Sequence, residues 1–298
     1  MHSKSKILKL ASFTVLLSLC GASLALTESA LAFNVAAAGD WGCGDNAKRT
    51  VSNMIKRSPE RVLGLGDYSY QSTADCWLTI MDPIDHRTKI SIGNHDDTSS
   101  SLLNQYMSHF GLSRQYYSFN YENTHFLVLS TEMTSSSSQR DFAKNDLASA
   151  ASNSDIDWII VYMHKPMYTS PNNHDASSTM RDTYHPLFDR YGVDIVLVGH
   201  NHAYERSYPI RYDSEGNPAT PIVTSTSKSS YSDFQGQIYA TVGTGGKGIY
   251  TWDGKSSYIV TQYNGHGFLD IDIVDNKLTA RFYANSDGSI KDQFTITK

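Results

Sequence analysis

Apolar residues gather into short runs along this chain, and most of those runs stop at a polar residue behind a glycine. Residues 33–39 end at Asp40, and 61–66 end at Asp67. Residues 89–92 run into Gly93-Asn94-His95-Asp96, 158–163 into His164, and 193–198 into Gly199-His200. Each run predicts a buried strand. Between the first two, residues 46–56 place Val51, Met54 and Ile55 at helical spacing, and further helices are predicted over 101–110, 138–151 and 180–191. Residues 116–129 read as a strand pair turning at Glu122-Asn123. Strands alternating with helices build a parallel sheet covered on both faces, whose carboxyl edge gathers the loops that bind ligands. From Pro218 onward, runs at 238–242, 267–274 and 277–283 between turn residues predict antiparallel strands, with a hairpin at Asp275-Asn276. No repeat or linker divides residues 33–298, which are expected to form one domain.

The N-terminus changes the picture by adding a compartment. Lys4, Lys6 and Lys9 precede an uncharged stretch over 10–26 that is followed by Ala30-Leu31-Ala32, the pattern of a signal peptide cleaved after Ala32. A retained anchor is the competing reading, but the stretch is short and carries several Ser, Thr and Gly. Lipidation at Cys20 would follow Leu19, where a small residue is expected, and no Arg pair marks a twin-arginine route. The expected location is therefore secreted or extracytoplasmic, with no membrane association after cleavage. The 298 residues carry 25 Lys+Arg against 30 Asp+Glu; removing 1–32 leaves 22 against 29, a net charge of −7. That balance argues against nucleic acid as a partner. Cys43 and Cys76 remain, both after predicted strands, and in an exported domain they suggest one disulfide; two unpaired buried thiols are the alternative.

The strand-end groups, in order, are Asp40, Asp67 with Tyr70 three residues on, Asn94, His164, and the pair His200 and His202. Carboxylate, phenolate, amide and imidazole suit iron, manganese or zinc, and the lack of thiolates argues against structural zinc or an iron–sulfur cluster. Seven donors exceed what one catalytic metal uses while keeping an open position, whereas two metals sharing a carboxylate would employ them all. Singly, each residue has an ordinary explanation: a cap, a turn or a packed histidine. The repetition of Gly-Asp, Gly-Asp, Gly-Asn and Gly-His at successive strand ends is what favours a shared site.

Gly39-Asp40, Gly66-Asp67-Tyr68-Ser69-Tyr70, Gly93-Asn94-His95-Asp96, Val161-Tyr162-Met163-His164 and Gly199-His200-Asn201-His202 resemble, in order, the five motifs of purple acid phosphatases among the calcineurin-like metallophosphoesterases. The similarity continues through Ala203-Tyr204-Glu205-Arg206, and the last third is alike only in style. The resemblance implies a four-layer α/β/β/α fold, two mixed β-sheets flanked by helices. It implies a ferric ion held by Asp40, Asp67, Tyr70 and His202, and a divalent ion (Zn, Mn or Fe) held by Asp67, Asn94, His164 and His200. It also implies acid hydrolysis of small-molecule phosphate monoesters by a metal-bound hydroxide, and the length left after residue 32 is expected to hold a compact form without the extra N-terminal domain of large plant enzymes. His95 and His174 are the candidates for protonating the leaving group, although plant relatives have two adjacent histidines where this chain has Asn173-His174.

Competing functions are a phosphodiesterase or nucleotide hydrolase on the same donors, a colourless enzyme with two divalent ions, and an inactive exported metal- or phosphate-binding protein. Asp96 reads either as orienting His95 or as a surface carboxylate, and Tyr168 and Tyr204 either stack on an aromatic leaving group or pack in the core, the commoner fate of tyrosine. His86, His109, His125, His185 and His266 stand in no motif and read as surface or packing residues. Residues 243–248, Gly-Thr-Gly-Gly-Lys-Gly, lack P-loop spacing and read as a strand-end loop walling the cleft. If the cysteines pair, reduction is expected to loosen Asp40 and Asp67.

Overall fold

The computed structural model describes residues 31–298. The signal-peptide reading over 1–32 lies almost wholly outside the described residues. In chain order the elements are β1 (Ala32–Ala38), α1 (Asp45–Arg57), β2 (Arg61–Gly64), α2 (Asp75–Met81), β3 (Thr88–Ile90), α3 (Ser100–His109), β4 (Tyr117–Tyr121), β5 (Thr124–Val128), α4 (Ser137–Ala151), β6 (Trp158–Tyr162), α5 (Ser178–Tyr191) and β7 (Ile195–Val198). The remainder is all strand: β8 (Tyr204–Arg211), β9 (Ile222–Val223), β10 (Ser230–Ser232), β11 (Gln237–Val242), β12 (Ile259–Tyr263), β13 (Gly267–Val274), β14 (Lys277–Ala284) and β15 (Ile290–Thr297).

Two sheets result. The first runs β10-β15-β14-β13-β1-β2-β3, and the second runs β12-β8-β11-β7-β6-β5-β4, with β9 pairing on β8. Both are mixed. In the first, β1, β2 and β3 are mutually parallel while β13 joins β1 antiparallel. In the second, β5, β6, β7 and β11 are parallel, flanked by antiparallel β4 and β8. The last third is thus not uniformly antiparallel as expected: β11 enters the second sheet beside β7 and β10 pairs parallel with β15. A strand's direction depends on the sheet it joins, which local alternation does not encode.

Strand alternation explains the layering. Phe33, Val35 and Ala37 of β1 pack toward Phe126, Ile160, Ile195 and Leu197 of the second sheet. Ala36 and Ala38 point the other way, onto Ala47, Val51 and Met54 of α1, Trp77 and Met81 of α2, and Leu102 and Tyr106 of α3. On the far side, Ile159, Val161 and Val196 pack against Ala143 and Leu147 of α4 and Met180, Tyr184 and Phe188 of α5. Helices, sheet, sheet, helices: the expected four-layer α/β/β/α fold is the observed one. A buried ion pair ties the sheets together at one flank, where Arg206 of β8 donates to Asp292 of β15 at 2.6 and 3.0 Å and Tyr204 Oη donates to the same carboxylate at 2.7 Å.

Cys43 and Cys76 are disulfide-bonded, with Cα atoms 5.8 Å apart. Cys76 lies in the first turn of α2, a helix over 75–81 too short to show in the hydrophobic pattern. Among the described residues no helix is long and apolar enough to cross a membrane.

Candidate metal centre

The parallel strands of both sheets end at one edge, and every candidate donor sits just past a strand end. Asp40 follows β1, Asp67 and Tyr70 follow β2, and Asn94 and His95 follow β3; His164 follows β6, and His200 and His202 follow β7. The four oxygen donors therefore come from the first sheet and the three imidazoles from the second.

Close approach explains the glycines. A Cβ on Gly93 would overlap Asp67 Oδ1, and one on Gly199 would stand 2.6 Å from Asp40 Oδ2. The donors themselves carry backbone strain: Asp40, Asp67, Tyr70 and His200 all have positive φ, at 59°, 57°, 55° and 70°. Half of the eight non-glycine positive-φ residues described thus lie in this cluster, a conformation kept only where the surroundings enforce it.

One group of contacts surrounds Asp40. Tyr70 Oη lies 3.1 Å from Asp40 Oδ1 and 3.0 Å from His202 Nε2, and His202 Nε2 is 3.3 Å from Asp40 Oδ1. His202 Nδ1 donates to the Gly248 carbonyl at 2.8 Å, which fixes the tautomer and leaves Nε2 facing the carboxylate. The other group surrounds Asp67. His164 Nε2 is 3.3 Å from Asp67 Oδ2, its Nδ1 donates to Leu65 O at 2.8 Å, and His200 Nδ1 is 3.2 Å from His164 Nε2. Donor atoms of Asp67, His164 and His200 all lie within 4.8 Å of one another, as a metal would require. Asn94 Oδ1 is buried with no hydrogen-bond partner, an orphaned acceptor that a cation would satisfy. Asp40, Tyr70 and His202 thus meet in one group and Asp67, His164 and His200 in another, joined where the His200 peptide N–H donates to Asp40 Oδ2 at 2.7 Å, and with Asn94 at the same edge this donor chemistry fits two cations.

Proton occupancy reflects this crowding. Burial opposes ionisation of Asp67, but the charge of His164 and the hydrogen bonds from His164 and the His95 peptide N–H prevail and hold the carboxyl well below its usual range. Burial likewise disfavours the His164 cation, yet the facing Asp67 raises it to about 10. His200 is pushed down to about 2 by burial and then by His164 and His174. Burial, then the charges of Asp40 and Asp67, raises the Tyr70 phenol, so without a cation it keeps its proton. A cation amid these groups reverses that preference, favouring phenolate and neutral imidazole.

At the rim, His95 is half-exposed with Nε2 3.9 Å from Asp67 Oδ2, its ring 4.4 Å from that of Tyr70, and its peptide N–H donating to Asp67 Oδ1 at 2.8 Å. The His174 ring stacks on His200 at 4.1 Å, and burial followed by His202 pushes its imidazolium down. Asn201 Nδ2 holds that loop through the His174 carbonyl at 3.2 Å.

Asp96 departs from expectation. Its buried carboxylate accepts from the peptide N–H groups of Asp67 (2.7 Å), Tyr68 (2.9 Å) and Gly93 (2.9 Å), locking the β2 and β3 loops together instead of orienting His95. Its acceptor capacity is thus directed mainly at backbone N–H groups of the two loops. Tyr204 is fully buried against Phe282 at 4.2 Å, and Tyr168 bonds His185 Nδ1 at 2.7 Å, so both pack the core. Unforeseen in detail was the loop after β11: Gly245 N donates to Gly39 O (2.8 Å), Gly246 N and Lys247 N to Asp40 O (3.0 and 2.9 Å), and Tyr250 stacks on His202 at 4.1 Å. The glycine-rich stretch 243–248 marked it as a strand-end loop walling the cleft, and what the sequence did not show was its bonding to Asp40 and its stacking on His202.

The sequence pattern of the calcineurin-like phosphoesterases matches residues 33–204, more than half of the chain. The protein belongs to this family. Within it, the chain is similar to purple acid phosphatase 15 of Arabidopsis thaliana, 29% identical over 231 residues that cover 63% of this chain and 43% of that protein. It is also similar to an uncharacterised protein of Mycobacterium tuberculosis, 38% identical over 109 residues, 36% of this chain and 21% of the other. In fold it matches the purple acid phosphatase of yellow lupin (Lupinus luteus) seeds with a TM-score of 0.80 at 21% identity, covering 90% of this chain and 54% of that one. The chain spans about half or less of the length of these relatives.

Proposed function

We propose that this phosphoesterase is an exported acid phosphatase that hydrolyses phosphate monoesters at a dinuclear centre, with residues 33–298 as a single catalytic domain. Asp40, Tyr70 and His202 would hold Fe(3+), Asn94, His164 and His200 would hold Zn, Mn or Fe(2+), and Asp67 would bridge. The observation that carries this reading is the pair of contact groups around Asp40 and Asp67, with the buried, unpartnered Asn94 Oδ1 at the same strand-end edge. When bound, the two cations supply positive charge for the phosphoryl oxygens and acidify water.

The chain's own residues do the rest. Asp67 is presented with one oxygen toward His164 and the other fixed by the His95 N–H, a posture suited to bridging. Leu65 O and Gly248 O hold His164 and His202 in the tautomer that points Nε2 inward. His95, exposed at the rim, is placed to deliver a proton to the departing alkoxide. His174, disfavoured as a cation, serves by donating a neutral N–H to a substrate oxygen. Export is supported by the disulfide.

The deciding experiment combines metal analysis, a visible spectrum and hydrolysis of aryl phosphate mono- and diesters at acidic and neutral pH. Two metals per chain including iron, a purple band abolished by Tyr70→Phe, and acid-favoured monoester turnover are expected. Turnover without iron or colour would replace the ferric assignment with two divalent ions. Diester preference would move the substrate class, and full metal loading without turnover would leave a binding protein.

A further inference from the structure

Lys247 has no role in the chemistry above, yet it is placed against the centre by a rigid backbone. Its peptide N–H donates to Asp40 O at 2.9 Å, and its carbonyl accepts from His266 Nε2 at 2.9 Å. Both of its peptide groups are therefore tied, one of them to the residue that carries a candidate iron ligand. From this half-buried position the ammonium lies over the Tyr70 ring, 4.1 Å from its centroid. Among the described residues no carboxylate lies within salt-bridge distance of Lys247 Nζ. A lysine free to choose would rest in water or on an acid; this one rests on the phenol whose hydroxyl faces Asp40 and His202.

We infer that Lys247 is a tuning residue for the Tyr70 phenolate, setting the energy of its charge transfer to iron and the reduction potential of that iron. This rests on the ferric-phenolate reading of Tyr70. A phenolate spreads negative charge into its ring, so a cation held against the ring stabilises the electrons that the ring would donate. The ring becomes a weaker donor. Charge transfer then requires more energy, and a ferric ion facing a weaker donor and a nearby positive charge is reduced more readily. Taking the charge away should therefore move the absorption band to longer wavelength and the reduction potential to a more negative value.

The test compares wild type, Lys247→Met, Lys247→Gln and Lys247→Arg, each loaded with iron and zinc, by visible spectroscopy and redox titration. Both neutral variants are expected to show the band red-shifted and the potential lowered, while Lys247→Arg keeps both close to wild type. A band and potential unmoved in both neutral variants would overturn the tuning role and leave the ferric-phenolate reading intact. Failure of both neutral variants to retain iron would overturn it too, showing Lys247 to be an anchor for the metal loop. Iron-loaded wild type with no visible band would overturn the ferric-phenolate reading itself, and the tuning role with it.

Discussion

The two sheets contribute to one site in different currencies. The first supplies oxygen donors from loops under backbone strain, with Asp40, Asp67 and Tyr70 all at positive φ. The second supplies imidazoles, of which only His200 is so strained, and in His164 and His202 the ring orientation is set by a carbonyl acceptor on Nδ1. One of those carbonyls, Leu65 O, belongs to the first sheet, so the His164 ring is aligned across the sheet boundary. In the proposed assignment each cation takes donors from both sheets. The centre would then be a staple as well as a catalyst, and neither sheet alone would hold a metal.

Asp67 is where the comparison breaks most sharply, since it alone would serve both cations. Asp67→Asn keeps the shape but removes the charge that faces His164 and the His95 N–H, and kcat/KM on an aryl phosphate should fall by on the order of 10³-fold or more. Single-metal variants should separate the halves. Tyr70→Phe should lose colour but keep the divalent ion, whereas Asn94→Ala should keep colour and weaken the divalent ion by at least about 10–100-fold, as read by metal titration. A residual activity in Asp67→Asn close to wild type would exclude a bridging role.

If the cations staple the sheets, chelation should lower stability. A ligand at 100 to 1,000 times its Kd stabilises by roughly 3–4 kcal/mol, which for a chain of this size corresponds to a fall in Tm of roughly 5–15 °C on removal. Calorimetry of loaded and chelated protein measures this directly. An unchanged Tm would mean that the sheets are held by their own core and the Arg206–Asp292 pair without help from the centre.

The disulfide should sharpen the contrast, because it constrains only the first sheet's loops. Cys43 and Cys76 close a 33-residue separation that contains both Asp67 and Tyr70. By loop-closure entropy the bond is worth about 3–4 kcal/mol. Reduction should lower Tm and fade the purple band before the divalent ion is lost. Simultaneous loss of both metals, or retention of full activity after confirmed reduction, would show that the loops do not depend on it.

Strand ends were legible in the sequence because glycine followed by a polar residue is a local signal that repeats, and the donors inherit their positions from it. Helices α3, α4 and α5 fell within a few residues of expectation for the same reason: their periodicity is local. The second sheet's composition was not legible, since β11 could join either sheet and only tertiary packing decides. Nor was the left-handed backbone of Asp40, Asp67 and Tyr70, which no propensity favours and which the surrounding loops impose. Asp96 was misread for a related reason: its partners are peptide groups, which carry no side-chain signature. The role of Lys247 stayed hidden because the contact with Tyr70 spans 177 positions, and only the shared sheet edge brings them together.

The smallest expected effect lies away from the centre, in how the first sheet holds its covering helix. Asp270 of β13 is fully buried, receiving Arg57 Nε of α1 at 3.1 Å and Asn34 Nδ2 of β1 at 3.3 Å. Burial raises its carboxyl to about 6, against the opposing pull of Arg57. The folded state therefore keeps a proton that the unfolded chain releases at its ordinary pKa near 4, so this group favours folding at acid pH and the advantage is lost as pH rises from about 4 to 6. Asp270→Asn removes the titration. Relative to wild type, the variant should gain on the order of 1–2 kcal/mol between pH 4 and pH 7 in denaturant unfolding of the metal-free protein. A difference that stays constant across that range would mean Arg57 holds Asp270 ionised throughout. The first sheet and its helix would then be joined by a permanent ion pair.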